Sequence, residues 1–169
     1  MSAYASMPNS RKQRVDQITT NSIYKEFLIV EYQILKNVLN LDNGQDFSYT
    51  SLGKPYVSGK QNFSISHSQD FLVIAVSNNA IGIDVQKVKK YNANLAKKVL
   101  NEDELKLIES SKNKAYQFAK LWTKKESKIK LLGGSVFDDT KNILKDEQKY
   151  TFDTKRKNGF VITVCEKDL

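Results

Sequence analysis

Apolar residues recur at helical spacing in the first quarter of the chain. The pattern predicts a helix over roughly 21–40, which the turn sequence Asp42-Asn43-Gly44 brings to an end. The predicted core face of this helix consists of Ile23, Phe27, Ile34, Leu35, Val38 and Leu39.

Strand patterns follow the helix. Residues 63–67 alternate between apolar and polar, residues 71–77 are a β-branched and apolar run, and residues 81–85 alternate again. The intervening turn sequences are Gln69-Asp70 and Asn78-Asn79. Because the connections are this short, the pattern predicts an antiparallel meander.

The second half begins with helix signals and ends with strand signals. Asn101-x-x-Glu104 is an Asn variant of a capping box, and Gly133-Gly134 ends the helical pattern that follows. Asn158-Gly159 is a hairpin-turn dipeptide between strand patterns at 150–153 and 160–164. The stripe of the long helix is Phe118, Leu121, Trp122, Ile129 and Leu132. The order of helix, strands, helices and strands predicts one α+β domain.

Composition adds limits to this picture. A chain of 169 residues with 40% hydrophobic residues buries a substantial core, which excludes general disorder. The single cysteine, Cys165, cannot form an internal disulfide, and no Cys/His spacing indicates zinc. With no apolar run of about 20 residues and no signal-peptide pattern at the start, we expect a cytoplasmic protein without membrane contact.

The net charge of +8 favours ligands or partners that carry negative charge. Short basic runs occur at Arg11-Lys12-x-Arg14, Lys87-x-Lys89-Lys90 and Lys155-Arg156-Lys157. Each is compatible with a solvated surface, and none is interleaved with aromatic residues in the way that a single-strand-binding surface requires. We therefore do not predict a nucleic-acid partner.

Asp84 lies in the strand pattern Ile81 to Gln86. Alternation places Ile81, Ile83 and Val85 on one face and Gly82, Asp84 and Gln86 on the other. One interpretation is a half-buried strand with a solvated polar side. The other is that Asp84 binds a hard cation, which requires a second carboxylate.

Glu126 is the candidate for that second carboxylate. Trp122, Glu126 and Lys130 are spaced i, i+4 and i+8, so they share one face of the predicted helix. An ordinary Glu–Lys surface pair explains the spacing equally well.

Two further residues stand on or near predicted turns. Lys54, between Gly53 and Pro55, is expected on a rigid loop, either solvated or bound to an anion. His67, the only histidine, ends a strand pattern and is either a buried structural residue or a contact for phosphate or ribose.

The motifs Gly53-Lys54-Pro55, Phe63-x-x-Ser66-His67-Ser68, Ile81-Gly82-Ile83-Asp84 and Trp122-x-x-Lys125-Glu126-Ser127-x-x-Lys130, in this order, resemble the motif set of Sfp-type 4'-phosphopantetheinyl transferases. The resemblance runs from about residue 11 to residue 165. It implies two similar α/β lobes related by a pseudo-twofold axis, with antiparallel strands packed on helices. The lobes are expected at about 1–90 and 91–169 of a single domain.

The resemblance also implies a reaction. A member transfers the 4'-phosphopantetheine arm of coenzyme A to a serine of an acidic apo acyl or peptidyl carrier protein and releases adenosine 3',5'-bisphosphate. Mg²⁺, with Mn²⁺ as an alternative ion, is expected on Asp84 and Glu126, with Gln86 as a weak third ligand. Asp84, Glu126 and Lys130 are the expected catalytic residues, and a monomer is expected. The expected coenzyme A contacts are Arg11, Arg14, Lys54, Ser66, His67, Lys125 and Lys130.

Two departures from the family pattern matter. Many members have a glutamate where this chain has the neutral Gln86, and few residues precede Arg11, so Ala3 to Ala5 is expected as the remnant of a first strand. Two other interpretations stay open: a basic nucleic-acid-binding module, and a carrier-protein-binding relative with impaired catalysis.

Overall fold

The computed structural model describes residues 3–134 and 139–167. The helices are α1 (Asn9–Asp16), α2 (Ser22–Val38), α3 (Ala93–Val99), α4 (Glu102–Glu109) and α5 (Lys114–Leu132). The strands are β1 (Ser48–Tyr49), β2 (Pro55–Tyr56), β3 (Asn62–Ser68), β4 (Phe71–Ser77), β5 (Ala80–Lys87), β6 (Thr151–Lys157) and β7 (Phe160–Lys167). The fold is a mixed α/β fold whose paired strands run antiparallel, as predicted. Within the described ranges, no helix combines the length and the apolarity needed to cross a bilayer.

The predicted first helix is α2, but only Leu35 and Leu39 of its predicted core face are buried. The Asn21 side chain accepts a hydrogen bond from the Tyr24 backbone and caps the helix. Ile23, Ile34 and Val38 are exposed. The helix is rotated because its aromatic Tyr32 packs inward, against the ring of Phe47. The buried stripe is Leu28, Tyr32, Leu35 and Leu39.

An unpredicted helix, α1, precedes α2. No apolar periodicity predicts this helix, because α1 is mostly polar and buries only Arg11 and Val15. The prediction that Ala3 to Ala5 forms a strand remnant is wrong, since this segment is a turn closed by a hydrogen bond from Met7 N to the Tyr4 carbonyl.

The predicted meander is correct for its first hairpin and wrong for the next connection. β3 and β4 pair antiparallel, but β5 pairs with β7, which lies between β5 and β6. Instead, backbone nitrogens of β5 form hydrogen bonds with serine side chains of β3. The hydroxyls of Ser64, Ser66 and Ser68 on β3 accept hydrogen bonds from the backbone nitrogens of residues 83, 85 and 87.

Both faces of β5 are buried, so the interpretation of a strand with a solvated polar side is wrong. Residues 81–85 are all buried. One face packs against α5, and Gly82 makes this close approach possible: a Cβ there would lie 2.5 Å from Leu131 N and overlap the Ser127 carbonyl oxygen. The packing of α5 on the neighbouring β7 includes a 2.7 Å hydroxyl contact between Thr123 and Thr163.

The local signals of the second half are confirmed. Asn101 and Glu104 form the reciprocal hydrogen bonds of a capping box at the start of α4. Gly133 ends α5 in the left-handed conformation, with φ of 74°. Asn158 and Gly159 both have positive φ in the turn between β6 and β7, as the hairpin dipeptide predicts.

Candidate active site

A carboxylate pair lies where β5 faces α5. Asp84 is 6% exposed, and its Oδ1 accepts hydrogen bonds from Ser66 Oγ at 2.8 Å and Lys130 Nζ at 2.7 Å. Glu126 is also 6% exposed, and it lies close enough to Asp84 for the charge of Asp84 to raise its pKa. The sequence-predicted pair is therefore brought together by the strand and the helix that carry it.

Ser66 connects three elements at this point. Its hydroxyl donates to Asp84, accepts from Lys130 Nζ at 2.8 Å, and accepts from Val85 N at 3.3 Å. A serine hydroxyl offers one proton and two lone pairs, so Ser66 uses its full hydrogen-bonding capacity here. The side chain thereby fixes Asp84 and Lys130 relative to β3.

The buried carboxylate of Glu126 is incompletely hydrogen-bonded. Its Oε1 is buried without a hydrogen-bond partner among the described residues. Burial raises the pKa of Glu126 to about 7, with a further contribution from the charge of Asp84 and an opposing one from Lys130. The pKa of Asp84 is likewise raised by burial, although Lys130 and the Ser66 hydroxyl oppose the shift. Two adjacent buried carboxylates form a site that favours a cation.

The carboxylate oxygens of Asp84 and Glu126 fit a divalent cation that keeps several of its bound waters. Mg²⁺ in proteins takes one or two carboxylates together with substrate phosphate oxygens. In the part of the chain that the structure describes, no group of three or more His, Cys, Asp or Glu side chains could hold a metal, so Asp84 and Glu126 would be a two-carboxylate site. Gln86 belongs to the same strand face as Asp84, and its amide nitrogen donates to the Lys87 carbonyl at 3.4 Å.

Two adjoining cavities lie near the site, and Lys130, which contacts Asp84, lines one of them. One, of about 220 Å³, is lined by Lys54, Ser64 and Lys130, and the other, of about 200 Å³, by Arg14 and His67 among others. They share three lining residues, Gly53, Pro55 and Ile65. Because the walls are shared, the two cavities form one cleft, which we call the basic cleft.

The ammonium of Lys54 is bound by two backbone carbonyls, so Lys54 is not a solvated turn lysine. Its Nζ donates to the carbonyl oxygens of Ile81 and Leu131, both at 3.0 Å. Burial lowers the pKa of Lys54. The ammonium therefore ties the start of β5 to the end of α5 while its side chain lines the basic cleft.

Arg14 and His67 both line the 200 Å³ cavity of the basic cleft. Arg14 donates to the hydroxyls of Tyr49 and Tyr24, at 3.2 and 3.3 Å. The imidazole of His67 contacts the rings of Tyr24 and Phe27 and remains accessible. Burial and the charge of Lys130 lower the pKa of His67, so it is mainly neutral at pH 7. These positions do not fit a fully buried structural histidine.

Arg11 does not reach the cleft. Its guanidinium is 4% exposed, lies 4.2 Å from the Phe47 ring centroid, and donates to Glu31 at 2.8 Å. Burial raises the pKa of Glu31, and the charge of Arg11 partly opposes this shift. In this structure Arg11 stabilises the packing of α1 on α2.

Lys125 points away from the carboxylate pair. It is completely buried, and its Nζ contacts Glu104 at 2.7 Å and the Thr140 carbonyl at 2.6 Å. Lys125 follows Lys124 and precedes Glu126 on α5, so it projects from a different side of the helix. The structure therefore joins Lys125 to α4 rather than to the site.

The sequence interpretation missed part of the cleft. Ser64 lines it, and the hydroxyls of Tyr24 and Tyr49 orient Arg14. The alternating serines after Phe63 were a usable signal, because small polar side chains at every second position of a buried strand must find backbone partners.

We expect Glu126→Gln to stabilise the protein above pH 7 in EDTA. The unfolded carboxyl loses its proton near its ordinary value of 4.5, whereas the folded one has its pKa raised to about 7. The free energy of unfolding therefore falls with rising pH between these values, and glutamine removes this loss. We expect a gain of about 1–2 kcal/mol at pH 8, discounted for solvent screening, and almost none at pH 4.5.

Urea denaturation at the two pH values tests this prediction. The matched control is Glu102→Gln, which changes an exposed helical glutamate. An equal effect of the Glu126 substitution at both pH values would contradict the assigned cause.

Comparisons with known proteins show the family of this chain. A family model of the 4'-phosphopantetheinyl transferase superfamily matches residues 80–166, just over half of the chain, including Asp84 and Glu126. The 4'-phosphopantetheinyl transferase gsp of Aneurinibacillus migulanus is 32% identical over 152 residues, which cover 88% of this chain and 63% of that protein.

Shorter matches extend to Bacillus subtilis. A 4'-phosphopantetheinyl transferase of this organism is 34% identical over 94 residues, covering 53% of this chain and 42% of the relative. The 4'-phosphopantetheinyl transferase Sfp of strain 168 is 33% identical over 91 residues, covering 52% and 41%. The chain belongs to the 4'-phosphopantetheinyl transferase superfamily, and its matched part spans between about two fifths and 63% of these relatives.

Proposed function

We propose that this protein transfers the 4'-phosphopantetheine arm of coenzyme A to a serine of an apo acyl or peptidyl carrier protein and releases adenosine 3',5'-bisphosphate. The observation that carries the proposal is the buried pair Asp84 and Glu126 beside a cleft lined by cations. A carboxylate pair of this kind suits phosphoryl transfer because the reaction depends on positioning and on stabilisation of phosphate charge.

Asp84 and Glu126 would hold Mg²⁺, or Mn²⁺ in its place. When bound, the ion neutralises negative charge that develops on the leaving phosphate. Lys130 contacts both Asp84 and Ser66 and lines the basic cleft, so its ammonium is positioned to bind a substrate phosphate next to the carboxylates. The neutral Gln86 would contribute at most an amide oxygen.

The basic cleft is the proposed coenzyme A site. Arg14 and His67 line its 200 Å³ cavity, where they would donate hydrogen bonds to a phosphate. Lys54 and Ser66 are proposed contacts whose polar groups are engaged with protein partners in this structure. Arg11 and Lys125 would act indirectly, through the packing of α1 and α4.

Glu126 is the proposed proton acceptor for the carrier serine. Its Oε1 has no hydrogen-bond partner among the described residues, so this oxygen is free to accept a proton directly or through a water. The attacking serine oxygen forms a bond to the phosphorus of the phosphopantetheine arm. The bond from this phosphorus to the oxygen of the nucleotide phosphate breaks, and the serine proton passes to Glu126.

We further propose two lobes, at about 1–90 and 91–169 of one domain. One apolar cluster draws its members from Tyr4 to Val76, and another from Tyr91 to Leu121. In both halves a long helix precedes an antiparallel hairpin, α2 before β3 and β4, and α5 before β6 and β7. This repetition supports a pseudo-twofold arrangement. A cleft formed within one chain supports a monomer, and the unpaired Cys165 supports a reducing compartment such as the cytoplasm.

The test is the intact mass of an acidic apo carrier protein after incubation with this protein, coenzyme A and Mg²⁺. We expect a gain of one phosphopantetheine group, abolished by EDTA. Gln86→Glu serves as a comparison, because activity that appears only in this variant would assign the protein to the catalytically impaired relatives. No gain with several carriers, together with no binding of coenzyme A, would overturn the proposal.

A further inference from the structure

Six cations lie near one end of the three-stranded sheet. Two basic runs that lie far apart in sequence meet there because β5, β7 and β6 are neighbours. In the pairing register Lys87 lies opposite Phe160, and Lys157 lies opposite the same residue from the other side. The hydrogen bond from Val88 N to the Gly159 carbonyl extends this contact beyond the strands.

This surface is strongly positive. We define the sheet-end patch as the cations of residues 87–90 and 155–157, namely Lys87, Lys89, Lys90, Lys155, Arg156 and Lys157. The nearest turn of the β3–β4 hairpin adds one carboxylate, Asp70, since the neighbouring Phe71 stacks on Phe160. Within the patch Lys155 pairs with Asp153.

Among the other cations, Lys87 is half-buried and its Nζ donates to the Asn158 carbonyl at 3.1 Å. Lys89, Lys90 and Lys157 are exposed. Lys87 lies over the Phe160 ring, and Arg156 lies over the Tyr116 ring. These two cations are held in place by aromatic rings, which lowers the entropic cost of presenting them to a partner.

The patch lies close to the carboxylate pair. Lys87 is three residues beyond Asp84 on β5, about 10 Å along the strand, and this odd spacing puts its side chain on the opposite face of the sheet. Arg156 pairs with Val161, which pairs with Gln86, so Arg156 lies on the same face as Asp84. The 220 Å³ cavity of the basic cleft, in contrast, includes Gly133 and Gly134, which follow the end of α5 that packs near Gly82 at the start of β5. The patch and this cavity thus flank the carboxylates from opposite ends of β5.

We propose that the sheet-end patch is the docking surface for an acidic protein, which on the proposed function is the carrier protein that supplies the serine. A partner docked at the sheet-end patch would approach Asp84 and Glu126 without blocking the 220 Å³ cavity of the basic cleft. Nucleic acid fits the patch less well, because Phe160 is buried, Tyr116 is covered by Arg156, and neither ring is left open for base stacking.

The test compares two triple variants of equal charge. Lys89→Gln/Lys90→Gln/Lys157→Gln removes exposed charges of the patch. Lys141→Gln/Lys145→Gln/Lys149→Gln removes three exposed charges that precede β6, whose first residue lies about 20 Å from Lys157 at the usual strand rise. The binding of a fluorescently labelled, acidic apo acyl carrier protein is measured by anisotropy at low and high salt, and transfer kinetics are measured in parallel.

We expect the patch variant to weaken carrier binding and to raise the KM for the carrier by about tenfold at low salt. The patch variant should keep its kcat and its KM for coenzyme A within about twofold of the unaltered protein. The control variant should keep its carrier binding and its transfer kinetics within the same range. The difference should shrink as salt rises, because the attraction is screened.

Equal carrier binding by the two variants would overturn the docking surface, whether or not transfer occurs. Loss of labelled single-stranded RNA binding in the patch variant, with carrier binding unchanged, would also overturn it and assign the patch to nucleic acid. Carrier binding that depends on the patch, without transfer under any condition, would support the surface and contradict the proposed function instead.

Discussion

Gly82→Ala is expected to be the most destabilising single-methyl change in the β5–α5 contact, with a loss of more than about 3 kcal/mol in the free energy of unfolding. The added Cβ would overlap the Ser127 carbonyl oxygen and lie 2.5 Å from Leu131 N. Both atoms belong to the backbone of α5, so no side-chain rotation relieves the clash. The helix must move away from β5.

Urea denaturation monitored by circular dichroism measures the loss. Gly44→Ala is the matched control, because Gly44 has φ of 82° and nothing lies within 4 Å of the position that an alanine Cβ would take there. It should cost only about 1 kcal/mol of backbone strain. An unchanged unfolding midpoint for Gly82→Ala would contradict the close contact of β5 with α5.

Asp84→Asn is expected to reduce kcat/KM for phosphopantetheine transfer by at least about 100-fold while the protein stays folded. Asparagine keeps an oxygen that accepts from Ser66 and Lys130, so the local hydrogen bonds survive. It lacks the charge that would bind a divalent cation and balance Lys130. Stabilisation by Mg²⁺ with coenzyme A, measured as a shift of Tm, should therefore disappear as well.

The matched control is Asp42→Asn, an exposed aspartate in the turn after α2. It removes the same charge without touching the site and should leave both transfer and the Tm shift unchanged. Full transfer by Asp84→Asn would remove Asp84 from the proposed metal site and leave Glu126 without its partner.

Local sequence signals predicted the elements of this fold well. The capping box at Asn101, the left-handed Gly133 and the turn at Asn158-Gly159 were all confirmed, because each depends on residues within a few positions of one another. The same holds for the extents of α2 and β3 to β5. Polar α1 was missed because its stability comes from buried Arg11 and Val15 rather than from an apolar stripe.

Long-range pairing was not predictable in the same way. The short turn after β4 suggested that β5 would pair with β4, yet β5 pairs with β7, near the other end of the chain. Nothing local to β5 distinguishes these partners. The exposed Ile23, Ile34 and Val38 on α2 show the same limit, since helical spacing gives more than one apolar face and tertiary packing chooses between them.

For the candidate site, the order of residues along the chain established which chemistry was available: two carboxylates, a lysine one helical turn beyond the second, and a single histidine next to Ser66. The same order carried the family resemblance. Which of these residues meet depends on the three-dimensional packing. Asp84, Glu126, Lys130 and Ser66 converge because Gly82 lets α5 approach β5, whereas the cations of Arg11 and Lys125 turn to buried partners. A charged side chain must find a counter-charge or solvent once it is buried, and the neighbours that satisfy it come from distant parts of the chain, where no local pattern can announce them.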